Sequence, residues 1–295
     1  MNELVTVIIT TYKRPIAIVQ RALESVINQT YSAIEIIIVN DYPEDTQNAQ
    51  AIKDLIETYN NHNIFYLEPK HNSGACVARN LGIEKGKGKY ISFLDDDDYW
   101  LDNKLEVQIN GFQNRDVGVV YTPFYRNYND QKEIMPSLEQ SGMITEYLLY
   151  SYNIGIFPLS RMSLVKEIGG FDPELPSSQD YDFFLRLSTR SKFQFVEIPT
   201  AVYDVSEISI STNVNKKIQG FEIFMKKHSE LYDKYPHAKH YQLVRMVNNM
   251  ITSGQYKYAW GLYKKSVMDN LFSLSNIVEP LKGIMKRING RESFH

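Results

Sequence analysis

Two runs, LVTVIIT (Leu4–Thr10) and IEIIIVND (Ile34–Asp41), are dominated by β-branched apolar residues without polar alternation. Strands of this kind are buried on both faces, which calls for a parallel sheet covered by helices on each side. The segments between and after them supply those helices. IAIVQRALESVINQ (Ile16–Gln29) follows the Pro15 breaker, and TQNAQAIKDLIETYN (Thr46–Asn60) is helical in spacing. A third helix runs from a cap at Ser73 to about Lys85, ended by Gly86 and Gly88. NIFYLE (Asn63–Glu68) and KYISFLD (Lys89–Asp95) read as the third and fourth strands. The βαβα rhythm predicts a doubly wound α/β domain. In such sheets ligands bind beyond the carboxyl ends of the strands. Thr10-Thr11-Tyr12, Asp41 and Asp95-Asp96-Asp97-Asp98 all fall there, so one crevice should collect them.

Further along, VGVVYTPFYRNY (Val117–Tyr128) reads as a strand with a turn at Asn129-Asp130, and Ile154–Ser160 as another. Short helices are expected over Ile144–Tyr150 and Ser163–Asp172, and a longer one over Asp180–Arg190. Beyond Ser211 the pattern becomes all-helical, over Asn215–Tyr235, Ala238–Ser253, Tyr256–Met268 and about Ile277–Ile288. That shift sets an expected boundary near residue 212: a catalytic α/β region over 1–212, in halves 1–100 and 101–212, then a helical region over 213–295.

Four consecutive aspartates at a strand end repel one another and hold protons unless a cation compensates. Oxygen-only ligands suit Mg²⁺ or Mn²⁺. If the run continues extended, Asp95 and Asp97 face the crevice together and Asp96 faces elsewhere. The alternative is a solvated acidic turn in which Asp98 or Asp102 caps the next helix. Trp100 either stacks on a sugar face or anchors that helix in the core.

At 295 residues and 43% hydrophobic, the chain can build a sizeable core. A net charge of −3 argues against a general nucleic-acid partner. MNELVTVIITTYKRP lacks a secretory pattern, and no apolar stretch approaches the ~20 residues of a membrane span. The single cysteine, Cys76, reads as a small packing residue and points to a reducing interior. A cytoplasmic protein is expected, at most peripheral at the inner membrane face.

In order along the chain, VTVIITTYKRP, EIIIVND, NSGACVARNLGI and YISFLDDDDYW resemble the successive signatures of the family-2 inverting glycosyltransferases. IGGFDPEL and SSQDYDFFLRL resemble its later ones, so the likeness spans Val5 to Arg190, about two-thirds of the chain. It implies the GT-A fold, a Rossmann-like, mostly parallel sheet flanked by helices whose first half binds nucleotide and whose second half binds acceptor. By this resemblance Asp41 takes the base, usually uracil, and Thr10 and Tyr12 flank it. Arg79 supports the diphosphate, Asp95 and Asp96 match the ribose and phosphate side, and Asp97 matches the metal ligand. Asp180 matches the general base, with Gln179 where Glu is commoner.

The implied reaction moves a hexosyl or N-acetylhexosaminyl group, with inversion, from a nucleotide-sugar donor to a glycan, lipid-linked or glycoprotein acceptor. Mn²⁺ or Mg²⁺ would assist, and bacterial surface-polysaccharide assembly is a natural setting. Plainer roles stand beside each assignment. Asp41 fits a turn before Tyr42-Pro43, Arg79 a surface ion pair, and Asp180 a helix cap. The competing function is an inactive sugar-nucleotide or glycan-binding module of the same fold. A nucleotidyltransferase or a dinucleotide dehydrogenase needs a glycine-rich loop after the first strand, where TTYKRP has none.

Residues 255–295 hold seven Lys or Arg against three acids, a local net of about +4 (7 − 3), with His295 set aside. The helical spacing of YAWGLYKKSVMDNLFSLSNIV fits three uses: contact with an anionic membrane surface, packing on the rest of the chain, or a homo-oligomer interface.

Overall fold

The computed structural model describes residues 2–59, 63–135, 137–155, 157–205, 213–269, 273 and 275–288. The chain forms two compact units: residues 1–145 with 152–212, and residues 146–151 with 213–295.

The first unit opens with β1 (Val5–Thr11), α1 (Ile16–Ile27), β2 (Ile34–Asn40), α2 (Thr46–Glu57), β3 (Ile64–Leu67), α3 (Ala75–Lys85) and β4 (Tyr90–Asp95). It continues with β5 (Tyr99–Trp100), α4 (Lys104–Asn110), β6 (Val117–Tyr121), β7 (Phe124–Tyr128) and β8 (Gln131–Met135). After α5 (Thr145–Tyr150), which falls mainly in the second unit, come β9 (Leu159–Arg161), α6 (Met162–Glu167), α7 (Gln179–Ser188), β10 (Lys192–Phe195) and β11 (Ala201–Asp204).

The main sheet has the order β10-β6-β9-β4-β1-β2-β3. β3, β2, β1 and β4 are mutually parallel, and β9 runs antiparallel between β4 and β6. Val5, Val7, Ile8 and Ile9 of β1 and Ile36, Ile37, Ile38 and Val39 of β2 are all buried, as the unalternated runs require. Each such side chain removed from water contributes about 1.5–3 kcal/mol, so these strands anchor the fold. A buried Glu35 is satisfied where it stands: Thr6 Oγ1 and the backbone amides of Lys87 and Gly88 donate to it. Gly88 has to be glycine, because a Cβ there would lie 2.5 Å from the amide nitrogen of Thr6.

Three expectations change in this unit's strands and caps. Val117–Tyr128 is two strands in two sheets, because Thr122-Pro123 interrupts the ladder. β7 then pairs with β8 across a hairpin at Asn129 and Asp130, both at positive φ (49° and 62°). With β5 and β11 they make a second sheet, β5-β11-β7-β8. Of Ile154–Ser160, strand geometry is confined to Leu159 and Ser160, since β9 is only three residues long; residue 156 lies outside the described set. Ser73 does not cap α3. Gly74 does, at φ 87°, where a side chain would be strained.

The second unit carries α8 (Val214–Lys227), α9 (Ser229–Lys234), α10 (Pro236–Thr252), α11 (Tyr256–Asp269) and α12 (Ser275–Ile288). The single helix expected over Asn215–Tyr235 is broken at His228. Leu243, Val247, Met250 and Ile251 of α10 pack with Ala259 and Leu262 of α11 into a small core.

Candidate active site

Parallel pairing brings the carboxyl ends of β1, β2 and β4 into line: Thr10 sits opposite Asp95 on one side of β1, and Thr11 opposite Asn40 on the other. Thr10 Oγ1 donates to Asp95 at 3.3 Å, and the backbone amide of Tyr12 donates to Asp96 at 3.3 Å. The Tyr12 ring, 37% exposed, meets Tyr42 edge-on at 5.4 Å. Lys13, at φ 53°, lies over Tyr42 at 4.3 Å. With Tyr12 exposed and Tyr42 half-buried, this aromatic pair offers a flat apolar surface beside a cation.

Asp41 is buried just beyond β2. Its carboxylate accepts from Asn72 Nδ2 (2.9 Å) and from the backbone amides of Ser73 (2.9 Å) and Gly74 (2.8 Å). It therefore organises the loop that leads into α3. Oδ1 accepts only one of these bonds, which leaves room for one more donor.

The acidic run is a turn and not an extension of β4. The amide of Asp98 donates to the carbonyl of Asp95 at 3.1 Å, so the alternation expected for Asp95 and Asp97 is lost. Arg14, which no sequence pattern singled out, bridges two of the acids: Nε reaches Asp96 at 2.9 Å and Nη2 reaches Asp97 at 2.5 Å. Arg21, likewise unmarked in the sequence, pairs with Asp204 at 2.5 Å and donates to the carbonyl of Asp97. Desolvation pushes the Asp96 carboxyl up to about 6 despite Thr11 and Arg14, and raises Asp97 as well, with Asp95 adding to it.

Neither Asp98 nor Asp102 caps α4, whose cap is Asn103. Asp98 is fully buried and its Oδ1 accepts the amide of Asp204 at 2.9 Å. Burial, then the charges of Asp95 and Asp97, raise its carboxyl well above the ordinary range, which favours the neutral acid. Asp98→Asn, equally neutral and of equal size, should therefore shift unfolding stability at pH 7 by less than about 1 kcal/mol. A urea melt checks this, and a loss of several kcal/mol would show that an ionised Asp98 is needed. Trp100 is buried in the core cluster of the first unit, which favours the anchoring role.

Arg79 of α3 links Asp180 of α7 to Asp95, the last residue of β4. Arg79, on α3, is 8% exposed at its side chain and reaches Asp95 at 2.8 Å and Asp180 at 3.2 Å. It is not a surface pair. Burial works against its charge, but Asp95 and Asp180 outweigh that and hold it charged. Asp180 is the second residue of α7, past the cap at Ser178, so it is not a cap either. A third of its side chain stays accessible, yet desolvation raises its carboxyl against the pull of Arg79.

Neighbouring side chains fix this meeting. Asn80 clamps the loop before α7 by donating to the carbonyl of Phe171 and accepting its amide, both at 2.8 Å. Arg186 of α7 donates to the carbonyls of Ile168 and Gly170 (2.7 Å each) and pairs with buried Asp182 at 2.8 Å. The Phe171 and Phe183 rings stack at 4.1 Å. Gln179 spends its amide on the carbonyl of Leu175 at 2.9 Å. Cys76 is buried with its thiol pushed up to about 12, chiefly by desolvation, which makes it inert.

Among the described residues no cluster of three or more His, Cys, Asp or Glu forms a cage for a metal ion. Asp95 and Asp97, 36% and 27% accessible, are hard oxygen donors that suit a divalent cation sharing its sphere with phosphate oxygens.

A mostly parallel sheet with its charged crevice at the strand carboxyl ends defines a GT-A type α/β protein, and solved structures agree. The fold superposes on Staphylococcus aureus TarS 1–349 in complex with UDP-GlcNAc with a TM-score of 0.63 and 15% identity, covering 98% of this chain and 92% of that one. Against a mannosyltransferase of Pyrobaculum calidifontis in complex with GDP-Man and Mn²⁺, the TM-score is 0.61 at 12% identity, covering 99% and 89%. The chain belongs to glycosyl transferase family 2, whose sequence profile matches residues 6–169. It is 32% identical over 252 residues, 82% of this chain and 86% of the relative, to WcaA of Escherichia coli (strain K12), named for colanic acid biosynthesis glycosyl transfer. An uncharacterized glycosyltransferase of Methanocaldococcus jannaschii is 30% identical over 66% of this chain and 69% of its own length.

Proposed function

We propose that this glycosyltransferase moves a hexosyl or N-acetylhexosaminyl group from a UDP-sugar to a hydroxyl of a glycan, lipid-linked or glycoprotein acceptor, inverting the anomeric centre. The observation that carries this reading is the buried Arg79 held between Asp95 at 2.8 Å and Asp180 at 3.2 Å. It joins the donor end of the crevice to a carboxylate able to serve the acceptor.

In this account Tyr12, Thr10 and Asp41 receive the nucleoside, with Tyr42 completing the aromatic edge. Asp95 and Asp96 lie on the ribose and phosphate side. Asp97 and Asp95 would hold Mn²⁺ or Mg²⁺ together with diphosphate oxygens. A bound cation would supply charge stabilisation to the departing diphosphate, and Arg79 adds fixed positive charge from the protein. Asp180 takes the proton of the attacking hydroxyl. Burial raises its pKa, which makes it a stronger base than an ordinary carboxylate, and Arg79 opposes that rise. Attack opposite the diphosphate converts an α-linked donor into a β-linked product.

Asp97→Ala should remove the Mn²⁺-dependent part of UDP affinity, a loss on the order of tenfold or more, from one charge-assisted ligand. Calorimetric titration of UDP with and without Mn²⁺ checks it, and unchanged Mn²⁺-dependent affinity would remove Asp97 from the site. A UDP-release assay separates the enzyme from an inactive binding module. The enzyme frees UDP from its donor, whereas a module binds the donor and frees none.

A further inference from the structure

We propose that the second unit carries a docking surface for anionic lipid, built on the outward face of α11. The exposed residues of that helix are Tyr256, Lys257, Trp260, Gly261, Lys264, Lys265 and Met268, recurring every three to four positions along one side. The opposite side, with Ala259, Leu262 and Ser266, is buried. The outward face thus joins two aromatics, a methionine and three lysines, and no acid is among its exposed residues described up to Met268.

Core packing does not account for this stripe. Trp260 is 58% exposed and Met268 86% exposed, an unusual burden for large apolar groups in water. Lys257, Lys264 and Lys265 form no ion pair with any acid among the described residues, so their charge is available to a partner. Lys264 lies 5.5 Å from the Trp260 ring centroid, and Trp260 stacks on Tyr263 at 5.4 Å. The indole is thereby held with a cation beside it. On α12 the same inversion recurs: Val278, Leu281, Ile284 and Met285 are exposed, while Asn276 and Gly283 are buried.

Apolar and aromatic side chains interleaved with lysines on one helix face match the two layers of a membrane interface. Indole and methionine enter the acyl boundary, and the ammonium groups meet lipid phosphates. An acidic protein partner would satisfy the lysines, but it would leave Met268 and Trp260 without an apolar counterpart. A second copy of this chain would bring three further lysines against the three already there. The observations therefore commit the face to an anionic lipid surface. The inference does not depend on the reaction proposed for the first unit.

The test is sedimentation of the full chain with vesicles of phosphatidylcholine alone and of phosphatidylcholine with phosphatidylglycerol, at about 0.15 M salt. Binding should be confined to the anionic vesicles and should weaken as salt rises. Lys264→Glu with Lys265→Glu should lower it by at least about tenfold. Trp260 fluorescence should shift to the blue and be quenched by brominated lipid, a signal lost in Trp260→Phe; Trp100 is already buried. These side chains are exposed, so the variants should keep the far-ultraviolet dichroism of the parent. Equal binding to both vesicle types, or binding unaffected by the double charge reversal, would overturn the proposal. So would absence of binding, whether or not a concentration-dependent dimer that Trp260→Glu dissolves is found in its place.

Discussion

Asp180→Asn should cut turnover for sugar transfer by about 10²–10⁴-fold, the usual worth of a general base, while donor affinity stays nearly unchanged. The asparagine keeps the volume and an acceptor oxygen for Arg79, whose 2.8 Å pair with Asp95 is untouched. Only the proton acceptor is lost. Steady-state rates with a verified acceptor, beside calorimetric donor binding, check both halves, and full activity would remove Asp180 from its role. The pH dependence follows from the same carboxyl. Because burial raises its pKa, the acidic limb of the rate profile should lie above that of an ordinary carboxylate.

A raised folded-state pKa also means that the folded protein binds this proton more tightly than the unfolded chain. The resulting stability is present below the unfolded carboxyl value and is lost as pH rises through the folded one. Asp180→Asn cannot lose it, so the variant should be at least as stable as the parent near pH 7. Gain of stability with loss of turnover is the behaviour of a group held for chemistry.

Arg79→Gln should have the second large effect, and on two observables at once. Removing the charge leaves Asp95 and Asp180 facing a neutral amide in a largely buried site. Breaking a buried pair costs about 3–5 kcal/mol. Both acids are about one-third accessible, and solvent screening brings the expected loss down to roughly 2–3 kcal/mol. Arg79 also pulls the Asp180 pKa down, so its removal should move the acidic limb of the rate profile to higher pH. Denaturant unfolding and a pH–rate series read the two effects separately. Arg79→Lys should be damaging to a lesser degree, since it keeps the charge but one ammonium cannot span two carboxylates as a guanidinium fork does. An unmoved acidic limb in Arg79→Gln would mean that the arginine does not govern Asp180.

Much of this was legible in the residues. Unalternated Ile and Val in β1 and β2 fixed parallel pairing, and the rule of strand carboxyl ends placed Thr10, Asp41 and Asp95 at one edge. The sequence misled where local pattern and tertiary context part. Val117–Tyr128 looks continuous in apolar character, yet Pro123 cannot donate to a ladder, and the chain changes sheets there. β8, QKEIM, is largely exposed and carries no apolar period to read. The acidic run leaves the extended path because adjacent carboxylates are relieved by turning toward separate partners, here Arg14, Arg79 and the amide of Asp204. Arg14 had a usable signal, since it lies three residues beyond the carboxyl end of β1. Arg21 had none, because an arginine on an amphipathic helix reads as a solvated side chain until Asp204 is brought to it.

The central claim, a UDP-sugar bound and transferred at the crevice of the first unit, is tested most directly by thermal shift across a panel of nucleotide sugars with and without Mn²⁺. One UDP-sugar at about 100 times its dissociation constant should stabilise the protein by about 2.7 kcal/mol, only with the cation present, and Asp97→Ala should abolish the shift. Equal shifts with unrelated nucleotides, or no shift from any UDP-sugar with Mn²⁺ present, would contradict it.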